Sequence, residues 1–233
     1  MSTSKQTVNG GAGTDTYIVT AATIGATING GAGSGTLSVR GGGTVTMGSN
    51  ITNIQTVMLG QGTVFTANGL NLSILGSGFA DTIQAGSGSD VITGDGGADT
   101  LIGGSGATTF KDVAQHLTTA TLENFTASDT IDITNLKFSK STPTTAVWAG
   151  NVLTVTQGTT VDNINLVGAY TGTFSTKTDG ANGVDITYTA GGGSSVPNFA
   201  QAMASLGATD SAVSALVAAS AATATPTLLA TLH

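Results

Sequence analysis

The sequence has no cysteine, three prolines in 233 residues and a single tryptophan. Without cysteine there is no disulfide and no thiolate metal site, so a fold that persists outside the cell needs another staple. Charge is scarce: 8% of residues are charged, six Lys and Arg stand against thirteen Asp and Glu, and the formal net charge is −7. So few cations exclude the basic footprint of a nucleic-acid binder. No run of about 18 apolar residues occurs, so no membrane span is expected. Residues 1–13 hold no apolar core of the kind a secretory signal needs. That leaves three readings: a cytoplasmic protein, a C-terminal export signal, or a fragment of a longer chain. Catalytic patterns are missing too. There are two histidines, His116 and His233, no Gly-x-Ser-x-Gly elbow and no Gly-Lys-Ser/Thr phosphate loop, so no enzyme is expected.

What is abundant is glycine, with 35 residues. The acids are twelve Asp and one Glu, Glu123. Asp suits turns and sites for hard cations. From Gly76 the chain divides without a gap into GSGFADTIQ (76–84), AGSGSDVIT (85–93), GDGGADTLI (94–102) and GGSGATTFK (103–111). The sixth position reads Asp81, Asp90, Asp99, Thr108, and the eighth Ile83, Ile92, Leu101, Phe110. Glycines allow a tight turn. The single apolar residue belongs on a very short strand facing a core. A lone match of this kind favours a plain Asx turn, but four tandem units in one register favour a cation site.

The pattern resembles the RTX nonapeptide, Gly-Gly-x-Gly-x-Asp-x-hydrophobic-x, and the resemblance implies an all-β parallel β-roll or β-solenoid that binds calcium. With two nonapeptides per coil, Asp81 is expected to stack near Asp99 and Asp90 near Thr108. The expected ligands are the carboxylates of Asp81, Asp90 and Asp99, together with Asp95 and the turn backbone at Gly76, Gly86, Gly88, Gly94, Gly96, Gly97, Gly103 and Gly104. Phe79, Ala85 and Thr108 depart from the pattern, and Thr108 weakens one site. GGAGTDTYI (10–18) and GGAGSGTLS (30–38) repeat it 20 residues apart, with Asp15 and Gly35 at position six. Asp15 stays open between a metal ligand and a turn residue.

Residues 36–75 alternate apolar residues with Thr and Ser and suit further coils. Residues 112–190 change character. TLENFTASDTIDITNLKF (121–138) resembles the element that ends an RTX roll. VLTV–QGTT–VDNINL and FSTK–TDGANG–VDITYT read as hairpins of a cap whose core is Phe125, Phe138, Trp148, Tyr170, Phe174 and Tyr188. His116, beside Lys111 and Asp112, suits a surface loop. Asp129 and Asp132 suit a cap turn or an end-of-roll calcium ligand. The expected division is a solenoid over 1–111, a β cap over 112–190, and a linker with an Ala-rich helical tail over 191–233. The resemblance implies that this tail is a type I secretion signal read by an ABC-type exporter. It further implies a secreted or cell-surface protein, structural or adhesive, whose partners are calcium, itself or a cell-surface glycan. The alternative is the export and folding module of a larger secreted enzyme.

Overall fold

The computed structural model describes residues 6–191. Of the linker and helical tail expected over 191–233, residues 192–233 lie outside the described residues. The chain begins with β1 (Thr7–Asn9), β2 (Thr14–Val19), β3 (Thr27–Asn29), β4 (Ser34–Val39), β5 (Gly43–Thr46) and β6 (Ile51–Thr52). It continues with β7 (Thr56–Leu59), β8 (Thr63–Thr66), β9 (Ser73–Leu75), β10 (Thr82–Gln84), β11 (Asp90–Thr93), β12 (Thr100–Ile102) and β13 (Thr108–Asp112). After the short helix α1 (Ala114–Leu117) come β14 (Thr121–Glu123) and β15 (Thr130–Ile133). The cap strands are β16 (Thr144–Ala149), β17 (Val152–Gln157), β18 (Thr160–Leu166), β19 (Thr173–Thr178) and β20 (Val184–Thr189).

These strands wind into a parallel β-solenoid with two long faces. One sheet runs β19-β20-β15-β13-β11-β9-β7-β4-β2, and the other β16-β17-β18-β14-β12-β10-β8-β5. Alternation decides which side chains face in. In the first sheet Leu37, Val57, Ile74, Ile92, Phe110 and Ile131 fall in register and are buried. In the second, Val45, Phe65, Ile83, Leu101 and Leu122 do the same. Each such side chain contributes about 1.5–3 kcal/mol of burial. Their flanks are mostly Thr and Ser, which suit an exposed pleated surface.

The 20-residue spacing of the first coils has a structural cause. Thr36 pairs with Thr56, twenty residues on, whereas Thr82 pairs with Thr100, eighteen on. The longer coils hold a third side, the small sheet β1-β3-β6, which points Ile28 and Ile51 into the core. From residue 67 onward that side shrinks to a turn. Parallel pairing carries on past the four nonapeptides, since β12 pairs with β14 and β13 with β15. There the hairpins take over. β18 adds to β14, β20 adds antiparallel to β15, and β17–β18 and β19–β20 are the two hairpins expected from sequence. Sequence reading did not anticipate β16 as a third cap strand, nor α1. Phe125 stacks on Phe174 at 6.2 Å, Tyr170 lies 5.2 Å from Trp148 and 5.1 Å from Tyr188, and Phe138 packs against the same core. No helix among the described residues is long and apolar enough to cross a membrane.

Candidate metal centre

Each eighteen-residue coil turns twice, and its aspartates stand on the two turn edges. One edge stacks turn 76–81 on turn 94–99. The other stacks turns 67–72, 85–90, 103–108 and 124–129. Asp81, Asp90 and Asp99 are all buried, which is costly for a carboxylate unless hydrogen bonds or a cation compensate. Backbone N–H groups supply part of the compensation in a repeated pattern. Oδ1 of each aspartate accepts the N–H of the equivalent residue one coil earlier. Thr63 donates to Asp81 at 2.5 Å, Leu72 to Asp90 at 2.9 Å, and Asp81 to Asp99 at 2.9 Å. Oδ2 accepts from its own turn: Ser77 N–H donates to Asp81 at 2.8 Å and Gly86 N–H to Asp90 at 2.9 Å. Asp81 thus stacks on Asp99, and Asp90 pairs with Thr108, as the eighteen-residue coil implies.

Two further members were harder to see. Asp129 Oδ1 accepts the Thr108 N–H at 2.6 Å, and its Oδ2 accepts the Thr126 N–H at 2.7 Å. Its place is hidden because it follows Thr108 by twenty-one residues. Gln55 fills the same role with a neutral side chain, accepting the Gly35 N–H at 2.6 Å. Asp132 takes no part. It pairs with Lys111 Nζ at 2.7 Å, and its other oxygen is buried without a partner. His116 lies on α1 rather than in a loop, with Nδ1 2.9 Å from Asp112 Oδ1.

The glycines permit the stacking. A Cβ on Gly86 would meet the Asn68 carbonyl, on Gly88 the Leu70 carbonyl, and on Gly104 the Gly86 carbonyl. Gly76 lies against the Gly94 carbonyl, and Gly103 against that of Asn124. The turns therefore touch backbone to backbone and bring rows of carbonyl oxygens to the roll edge. An open groove of about 530 Å³ runs along the second edge, lined by Ala85, Gly86, Gly103, Gly104 and Asn124 among others.

Turn 94–99 departs from its neighbours. Asp95, Gly96 and Gly97 have φ of 63°, 92° and 94°. This swings the Asp95 N–H away to Asp112 Oδ2 at 2.9 Å. Asp99 Oδ2 is left without the own-turn N–H that Asp81 and Asp90 enjoy. Burial, followed by the negative charges of Asp81 and Asp112, pushes the Asp99 carboxyl up to about 6, against the Asp81 N–H and His116, which pull it down. Burial also raises Asp90, though its two backbone N–H donors work against the rise. Asp15 is the other under-satisfied member. It lies on β2, in register with Gly35, and its Oδ2 is buried without a partner.

A carboxylate offers about four lone-pair sites, so even the N–H-bonded aspartates keep some free. Among the described residues no three His, Asp or Glu side chains converge on one point. A cation here therefore takes one or two carboxylate oxygens and fills its shell with turn carbonyls, an all-oxygen set of the kind calcium accepts. The donors present fit that ion, and they are poor in the nitrogen and sulfur that zinc selects. Comparison agrees: residues 75–110 match the RTX calcium-binding nonapeptide repeat in four copies. No curated protein and no solved structure matches the chain.

Proposed function

We propose, from the match of residues 75–110 to the calcium-binding RTX repeat, that this chain is a secreted structural or adhesive component of the cell surface or extracellular matrix. In this reading the ion-loaded roll is a rigid spacer. The observation that carries it is the double row of buried aspartates, whose charges need a cation once the chain is folded. The solenoid offers Thr-rich faces and carbonyl-lined turns, which suit a scaffold better than a reaction centre. The ligands proposed are Asp81, Asp90 and Asp99, with Asp95 in the turn before Asp99, Asp15 in the first coil, Asp129 at the end of the roll, and the turn carbonyls around them.

Asp99 provides the sharpest test. Its folded carboxyl is raised, so in the calcium-free protein it keeps its proton up to about pH 6. The stabilisation this gives is present at low pH and is lost as pH rises through about 6. Calcium has the opposite preference, because it must displace that proton. Affinity should therefore drop about tenfold per pH unit below this value if one proton leaves per ion. The Asp99→Ala variant should lose that dependence and bind at least one ion fewer by titration calorimetry. Unchanged stoichiometry rejects Asp99 as a ligand.

Export is the second part of the reading. Cytosolic calcium is low and external calcium is high, so the repulsion among the aspartates keeps the chain open inside and the ion closes it outside. Residues 198–233 would be the address read by an ABC-type exporter. Deleting them should leave the calcium-bound β domain folded in vitro and abolish secretion from a host carrying the matched exporter. Normal levels of the truncated protein in the medium contradict the signal. Loss of calcium-dependent folding places the tail within the fold instead.

A further inference from the structure

The two ends of the solenoid are finished differently. At the C-terminal end the last strands of the two sheets close on each other: the Thr176 hydroxyl on β19 donates to the Thr144 carbonyl on β16 at 2.8 Å. β19 also carries Lys177, an edge charge of the kind that discourages further pairing. At the N-terminal end the edge of the second sheet is shielded, because Ala21, in the turn after β2, packs beside Gly43 of β5. β2 has no such protection among the described residues. It is the terminal strand of the nine-stranded sheet and pairs only with β4. Its six residues, TDTYIV, are β-formers apart from Asp15, with no proline, no lysine and Ile18 61% exposed. Asp15 Oδ2 is buried there without a donor. Asp15 is the one charge on this strand, and an unpaired edge of six residues with no proline and no lysine is a template for another strand.

We infer that β2 is a self-association edge, and that a second copy of this chain adds its own β2 antiparallel across a two-fold axis through Thr16. The inference deepens the structural reading above and rests on it only for the folded, calcium-loaded state. Two identical edges can meet only in an isologous, antiparallel arrangement. Opposed residues of an antiparallel pair point to the same side of the sheet. An axis through Thr16 satisfies that rule. It sets Thr16 against Thr16 of the second copy on the outer face and Thr14 against Ile18, covering the exposed isoleucine. On the inner face it sets Asp15 against Tyr17 of the second copy, so the two Asp15 carboxylates are diagonal neighbours and not directly opposed. The result is one continuous sheet through two solenoids, with the protected C-terminal ends pointing apart.

The test uses the full chain in calcium. The wild type should sediment as a dimer at about 100 μM. The Thr16→Lys variant opposes two like charges across the axis and should dissociate about tenfold more readily. Because the sequence has no cysteine, Thr16→Cys supplies the sole thiol and should give a disulfide-linked dimer on mild oxidation. Thr36→Cys, one strand inside the sheet, should not. A wild type that is monomeric throughout this range overturns the inference. So does a Thr16→Lys variant that dimerises like the wild type, or a Thr16→Cys variant that crosslinks no better than Thr36→Cys. If Thr16→Lys fails to fold, the two cysteine variants decide alone. Melting each protein with and without calcium reports on the calcium reading separately from the mass.

Discussion

Excess EGTA should lower the melting temperature by at least about 10 °C and remove much of the β signal. The coils over residues 76–111 bury one large apolar side chain per nine residues: Ile83, Ile92, Leu101 and Phe110. At about 1.5–3 kcal/mol each, that burial falls short of a backbone ordering cost of about 1–2 kcal/mol per residue. Stripped of the ion, the same coils also keep the carboxylates of Asp81, Asp90 and Asp99 in the interior. Every ion that binds only the folded state adds about 2.7 kcal/mol at one hundred times its Kd. The loss should be local. After Asp15 the coils before the repeats hold neutral residues at the ladder positions, Gly35, Gln55 and Leu72, over a denser core of Leu37, Val39, Met47, Ile51, Ile54 and Val57. Amide exchange in EGTA should therefore rise first over 76–111 and last over 27–66. A melt and an exchange pattern that ignore the chelator would falsify calcium-driven folding of the repeats.

Phe110→Ala should be the most damaging single core change, at about 3–5 kcal/mol. Phe110 is fully buried in β13, between Ile92 and Ile131 in the inward row, and its ring lies 6.1 Å from Phe125. It thus joins the last nonapeptide to the aromatic cap, and truncation opens a cavity where two stacking systems meet. For a chain of this size the loss corresponds to roughly 10 °C in melting temperature, measured at saturating calcium so that ion binding is held constant. Ile83→Ala, inside the regular coils, should cost less, about 2–4 kcal/mol. Equal melting points for the two variants would show that the cap does not lean on Phe110.

Why the repeats were legible and the ends of the roll were not follows from how a solenoid is encoded. In 76–111 each turn and strand has a fixed length, so the sixth and eighth positions announce the carboxylate and the core residue directly. The two hairpins were equally plain, because alternation and turn residues are local signals. What failed to show was anything defined by register across a change of length. Asp129 continues the ladder of Asp90 and Thr108, but α1 stretches the intervening coil to twenty-one residues and breaks the period. Gln55 does the work of an aspartate, yet ITNIQTVML (51–59), which resembles a stretch found beside RTX repeats, does not mark its glutamine as a ladder acceptor. The altered bonding of Asp99 was likewise out of reach. It depends on Asp95 turning to Asp112, an acceptor seventeen residues away.

The ladder has a direction, and that makes the roll a ruler. Each ladder Oδ1 reaches back to a donor one coil earlier, and the coil 76–93 presents to the next coil the same N–H donors, at Asp81 and Asp90, that Thr63 and Leu72 present to it. The coil 76–93 can therefore be removed or duplicated without orphaning any carboxylate, and the molecule changes length by one strand spacing, about 4.8 Å. The twenty-residue coils below and the aromatic cap above are fixed fittings. Coil number alone sets how far apart they stand, so a lineage can retune reach in discrete steps while leaving both ends untouched.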